Sequence, residues 1–428
     1  MKRLYEAPAY GPAQPYWAGT VDAPQWPTLD HDLTTDTAII GGGFTGLNCA
    51  LTLAQYGQDV AVFDAESPGW GASTRNGGFC CLGGAIASDT ALRLRYGAAE
   101  AALWADTQQA AVDHVSALLD TYKIDADRHS HGETVLAHSP RAARRLARDP
   151  DAEHHGADEL KALGLGTTWH GGASNHAGFA LNPAKYHAGL ARAATAAGVR
   201  AFAKTPVTAL NRGTHWHLTA GKHKVTARRV ILATNGYSSE DLPHWLRART
   251  LPVQSSVIVT RPLTSDELTQ ANWTSDQMAY DTRKLLHYFR KLPEGRFLFG
   301  MRGGLTALPG EQERISTRIR RDFHAAFPAW KDVEITHEWS GLVCLMASGH
   351  PFAGAVPGHP DLHAALGFHG NGVAMGSYLG HSLAQRIMGR DTGPFPAFLR
   401  NEPKRFPLGR YRRALLRPAY WLAETFDL

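Results

Sequence analysis

The spacing of hydrophobic residues changes repeatedly along this chain, and each change marks an element. Residues 37–40 form a short apolar run of the kind found in buried strands; 44–56 carry apolar residues at helical spacing and stop at Gly57; 59–63 read as a second strand. The Ala-rich stretch 85–122 is helical in spacing, broken near Gly97, and is expected to lead into a second domain; a strand centred on 133–137 follows. Asn182-Pro183 predicts a helix start, with Asn as cap and Pro at the first helical position, and Gly198 ends that helix. Short strands are expected at 199–202, 207–210, 215–219 and 225–228, then a buried strand from Arg229 ending in Ala233-Thr234-Asn235-Gly236. Alternation over 251–261 and 280–302 suits an antiparallel sheet with one packed face and one facing a cavity. A basic amphipathic helix at 314–327 presents a solvated face, and the glycine-rich turn 366–372 opens a long helix, 373–388, that stops at Gly389.

The strongest chemical signal lies between the first strand and the first helix, in IIGGGFTG. Gly41 permits a tight turn, Gly43 lets a pyrophosphate approach the backbone, and Gly46 lets helix and strand pack closely. The exposed N–H groups at the helix start, at Phe44 and Thr45, attract phosphate. Asp64, followed by Ala65, ends the second strand where a dinucleotide-binding unit places the carboxylate that accepts from ribose hydroxyls. A second glycine-bracketed polar loop, GASTRNGG from Gly71 to Gly78, comes soon after. A nicotinamide-only enzyme has no obvious need of it, whereas FAD extends its ribityl chain and ring system past that point.

At these motifs the sequence resembles the D-amino-acid-oxidase-like family of FAD enzymes, and within it the gamma-glutamylputrescine oxidoreductase-type members, which carry a G-A-S-x-R-N-G-G run. The resemblance spans nearly the whole chain, from Tyr16-Trp17 to the tail. It implies an α/β (α+β) fold of the D-amino-acid oxidase and sarcosine oxidase kind: a discontinuous Rossmann-like FAD-binding domain (36–90, 170–245 and 339–428), an antiparallel-sheet substrate domain (91–169 and 246–338) and an N-terminal arm (1–35). It implies FAD as cofactor, beside Gly71, Ala72, Ser73, Arg75, Asn76, Gly77 and Gly78. Val207 would meet the adenine through its backbone, and Ala233, Thr234, Asn235 and Gly236 would lie against FAD. Gly341, Gly370, Asn371, Gly372 and Val373 would lie at the isoalloxazine end, where a helix N-terminus stabilises the negative charge of reduction by ~0.3–2 kcal/mol.

The resemblance further implies oxidation of a C–N bond: an amine binds as the free base, hydride passes to flavin N5, and the imine hydrolyses. Oxygen or another electron acceptor would complete the cycle; an acceptor-directing lysine is not placed. The candidates for substrate contact are Tyr288, Arg290, His369 and Asn371, with Arg290 expected to grip a carboxylate and His369 to accept the amine proton. Three departures stand out. Asn76-Gly-Gly is followed by Phe79-Cys80-Cys81 where gamma-glutamylputrescine enzymes continue with Gln, Asp64 replaces the usual Glu, and Arg75 stands where some relatives carry a flavin-linking histidine. Cys80 and Cys81 read as buried, inert thiols.

Composition narrows the class. At 428 residues with 43% hydrophobic content the chain can build a sizeable core, and a net charge of +5 mixed along its length points to no nucleic-acid partner. Four cysteines, with neither a C-x-x-C pair nor a disulfide framework, suit a reducing compartment. No signal peptide and no bilayer-length apolar run is visible, so a cytoplasmic location is expected. His129, His131, His154 and His155 lack the spacing of a zinc motif, and no metal is expected. The basic, aromatic tail from Pro403 is expected to pack on its own domain, leaving two alternatives open: a peripheral membrane dehydrogenase feeding quinone, and a non-catalytic flavin-binding module.

Overall fold

A computed structural model describes residues 14–149, 152–306 and 308–425. Leu33–Ile40 is buried over most of its length, so it can be covered on both faces, and it pairs in parallel with His223–Leu232 on one side and Val60–Phe63 on the other. Arg200–Phe202 and His359–Leu366 extend this sheet in parallel at either side, and Phe352–Val356 closes one edge antiparallel. Val207–Arg212 and Trp216–Ala220 branch from His223–Leu232. The segments expected as separate strands on either side of Arg229 are one strand, because no turn residue interrupts them. Ile40 stands opposite both Leu232 and Phe63, which lines up the carboxyl ends of the parallel strands, where open α/β sheets bind ligands.

One face of this sheet is covered by the helices Phe44–Gln55, Pro183–Ala196 and Ala374–Ile387, which share one hydrophobic core. Asn182 caps the second of them, accepting from the N–H groups of Ala184 and Lys185. Ala98–Thr121 corrects an expectation. The substrate domain drawn from residue 91 does not hold it: it buries Trp104, Ala111, Val112 and Val115 in this same core, after a break at Gly97, and the chain enters the second sheet afterwards, at Glu133–Leu136.

The second sheet runs in the order Ile335–Met346, Thr250–Thr260, Phe297–Arg302, His287–Lys291, Met278–Asp281, Glu133–Leu136, Gly172–Asn175, Glu153–His155. Helix Pro309–Ala326 buries Ile315, Ile319 and Phe323 against Phe289, Phe297 and Phe299 on its outer face. On the inner face Ser255 pairs with Arg302, Tyr280 with Tyr288, and Met278 with Glu133. Because Gly172–Asn175 and the strand carrying Gly341 belong to this sheet, the two sheets do not part at residues 170 and 339.

The N-terminal arm before residue 14 lies outside the described residues. Within them, Trp17 is buried and its indole N–H donates to the Asn76 carbonyl at 2.9 Å. The tail is tied to the fold by Arg412, whose buried guanidinium pairs with Glu240 and donates to the Thr250 carbonyl, each at 2.6 Å. Among the described residues no helix is long and apolar enough to cross a membrane.

Candidate active site

A cavity of about 530 Å³ runs from the carboxyl ends of the first sheet to the inner face of the second. At its first end Asp64 is half-buried, and its carboxylate accepts from the N–H groups of Gly42 at 2.9 Å and Glu66 at 3.0 Å. Burial raises the Asp64 carboxyl above its ordinary range despite those donors. Ala65 and Val207 line the cavity beside it, as do Gly41, Gly43, Phe44 and Thr45. Gly46 sits behind the lining, packed on the Gly41 carbonyl. A Cβ at Gly43 would stand 2.7 Å from Ser73 Oγ, and that hydroxyl accepts from the Phe44 N–H at 3.0 Å. The two glycine loops therefore lock together along the cavity wall.

The second loop is held from within and from outside. Asn76 accepts from the Gly78 N–H at 2.8 Å and donates to the carbonyls of Ala72 and Ser73. Arg75 donates to the carbonyls of Trp70 at 2.8 Å and Ser340 at 3.1 Å, while the Trp339 indole donates to the Arg75 carbonyl. Gly71, Ala72, Ser73, Arg75, Asn76 and Gly77 line the cavity. Gly78, at φ +75°, turns away, and a Cβ there would lie 2.0 Å from the Leu181 carbonyl oxygen.

The third contribution comes from Ala233, Thr234 and Asn235, with Gly236 packed behind on Leu342. Asn235 accepts from the Gly367 N–H at 2.9 Å and so fixes the turn that carries His369, Gly370, Asn371, Gly372 and Val373 along the cavity. Gly341 faces that turn's neighbourhood from the second sheet. Asn371 donates to the Cys81 carbonyl at 2.7 Å, which ties the turn back to the second loop.

Of the four residues expected to meet substrate, Tyr288, His369 and Asn371 line the cavity and Arg290 does not. Arg290 is buried beneath the second loop, donating to the carbonyls of Gly77 at 2.9 Å and Leu181 at 2.8 Å and meeting the His129 ring at 3.0 Å. Its donors are engaged by the fold, and it anchors the loop instead of gripping a carboxylate. His369 keeps its place but not its expected role. Burial pushes its ring down to about 3, so it stays neutral and is a poor acceptor for an ammonium proton. Among the described residues no group of three metal-ligating side chains converges.

Sequence reasoning missed Arg302, Tyr280 and Glu133, all on the cavity face of the second sheet. Arg302 continues the alternation Leu298, Gly300, Arg302, a signal present in the sequence. It is half-buried, and its guanidinium donates to the His369 carbonyl at 3.2 Å.

Both ring nitrogens of His369 and the side-chain oxygen of Asn371 are buried and, among the described residues, have no hydrogen-bond partner. Buried polar atoms in that state call for a ligand with matching polar edges. The long cavity, lined by the glycine turns and polar at the His369 turn, fits FAD, which Asp64 would meet at the ribose and residues 369–373 at the ring system.

Comparison with known proteins agrees. The family model described as FAD dependent oxidoreductase matches residues 36–386. The chain is 28% identical over 394 residues to gamma-glutamylputrescine oxidoreductase of Escherichia coli (strain K12), covering 90% of this chain and 91% of that one. It is 30% identical over 414 residues to the probable oxidoreductase OrdL of Rhizobium meliloti (strain 1021), covering 94% of each. Its fold matches the crystal structure of glycine oxidase from Geobacillus kaustophilus with a TM-score of 0.71 at 19% identity, over 86% of this chain and 98% of that one. The chain belongs to the FAD dependent oxidoreductase family, and FAD is its cofactor.

Proposed function

We propose that the protein oxidises a C–N bond of an amine that also carries a carboxylate. Arg302 carries this reading. It stands half-buried in the cavity wall beside the His369 turn, and among the described residues no carboxylate pairs with it. A guanidinium so placed suits a carboxylate in two-point geometry. Two similar proteins bear the names glycine oxidase and gamma-glutamylputrescine oxidoreductase, whose named substrates fit that pattern.

FAD, when bound, supplies the acceptor for the hydride that leaves the carbon beside nitrogen, and the imine so formed hydrolyses in water. The chain's own residues bind and orient. Arg302 fixes the carboxylate, and Tyr288, its phenol bonded to Ser255 at 3.0 Å, walls the side of the cavity. Asn371 offers an unpaired side-chain oxygen to a bound N–H. The positive Arg302 and the dry surroundings of the neutral His369 both disfavour an ammonium, so the reacting nitrogen is held in its neutral, reactive form. Trapping with phenylhydrazine tests the reaction: one carbonyl product should appear for each flavin reduced anaerobically. Reduction without a carbonyl product would reject C–N oxidation.

A second reading, a peripheral enzyme seated on anionic lipid, is favoured by Tyr411, Leu415, Trp421 and Leu422, which lie exposed near the exposed Arg410 and Arg417. Flotation with anionic vesicles should then be lost in Trp421→Ser, and equal behaviour of both proteins rejects it.

A further inference from the structure

Glu133 is the unexplained charge of the cavity. It is 9% exposed, on the strand Glu133–Leu136, and lines the cavity that holds Arg302. Its register partner is Met278, two residues from the cavity-facing Tyr280, so strand alternation sets Glu133 on the same inner face. Among the described residues no Lys, Arg or His pairs with it; its polar neighbour is the Cys81 thiol. A buried carboxyl without a cation is costly to ionise, and burial lifts this one to about 7. Cys81, of the Phe79-Cys80-Cys81 run, lines the cavity beside it.

Glu133 and Arg302 do not neutralise each other. Their strands are separated by His287–Lys291 and Met278–Asp281, three strand spacings or roughly 14 Å. Tyr280 and Cys81 stand within electrostatic reach of both charges. The wall therefore carries a cation at the His369 turn and, farther along, a carboxyl that a nearby cation would ionise. The reacting nitrogen does not suit Glu133, because a carboxylate beside it would favour the unreactive ammonium.

We propose that Glu133 forms a subsite for a second, protonated nitrogen of the substrate, so that the preferred substrates carry a distal ammonium besides the nitrogen that is oxidised and the carboxylate held by Arg302. This rests on the proposed amine oxidation, and it predicts discrimination by charge at fixed shape.

The test separates binding from turnover. The oxidised holoenzyme is titrated with 6-trimethylammoniohexanoate and with its isostere 7,7-dimethyloctanoate, which keeps the carboxylate and lacks the distal cation, following the flavin difference spectrum. Neither compound has an oxidisable primary or secondary amine. The ammonium-bearing compound should bind about tenfold or more tightly, and Glu133→Gln should abolish that ratio while leaving the affinity for the isostere unchanged. Equal affinities in the parent protein, or a ratio that survives Glu133→Gln, would overturn the subsite. In turnover, lysine should outperform norleucine. Failure of every amine to reduce the flavin, with the binding ratio intact, would instead reject the proposed reaction and leave the subsite standing.

Discussion

Arg302 donates to the backbone carbonyl of His369 at 3.2 Å, a contact that joins the inner face of the second sheet to the turn opening the helix Ala374–Ile387. It places a half-buried cation on the cavity wall beside that turn. Arg302→Met should lower kcat/KM for carboxylate-bearing amines by about 1.5–3 kcal/mol, roughly 10- to 150-fold, mainly through KM. Carboxylate-free amines should be far less affected; equal loss on both would remove Arg302 from carboxylate binding.

Arg290 should behave differently. Its bonds to the carbonyls of Gly77 and Leu181 hold the second glycine loop, so Arg290→Ala should destabilise the fold by about 3 kcal/mol or more and release flavin. Thermal unfolding and the ratio of flavin to protein absorbance check this. A variant that keeps its flavin and stability but loses only carboxylate-bearing substrates would restore Arg290 to substrate binding.

Gly43→Val should give protein that purifies without flavin, because the added side chain enters the space between the helix start and Ser73, where a Cβ alone would stand 2.7 Å from the hydroxyl. Fully yellow protein would contradict the placement of the pyrophosphate.

The carboxyl of Glu133 gives stability a pH dependence of known sign. Its folded value, about 7, lies above the ordinary glutamate value, so the folded chain keeps a proton that the unfolded chain has lost. The penalty is absent below pH ~4, grows as pH rises, and is complete above pH ~7, amounting to about 3 kcal/mol at 1.36 kcal/mol per unit. Glu133→Gln should therefore raise the Tm more at pH 8 than at pH 5. An increment independent of pH would mean that the carboxyl ionises in place without strain.

The parts of the fold that were legible from sequence are those set by local backbone demands. Gly41, Gly43 and Gly46 announce their turn because no other residue tolerates those approaches, and Asn182-Pro183 announces a helix start. Strand alternation also told correctly which residues share a face. It did not tell how far along a strand the cavity extends. Arg290 and Arg302 both occupy inner-face positions, but Arg290 pairs with Leu298, four residues or roughly 13 Å along the neighbouring strand from Arg302. That distance carries it out of the cavity and under the second loop. The helix Ala98–Thr121 was misassigned for a related reason: its partners Leu379 and Leu383 lie far away in sequence, and only packing reveals them. Glu133 stayed hidden because an isolated acid in a strand carries no spacing signal.

The most direct test of the account is anaerobic reduction of the purified holoenzyme, read as bleaching of flavin absorbance near roughly 450 nm, by amines matched in shape and differing in their charged groups. The account predicts bleaching by amines that carry a carboxylate, fastest when a distal ammonium is also present, and little by amines with neither group. Bleaching unrelated to those charges, or none by any amine while FAD is bound and dithionite still reduces it, would contradict it.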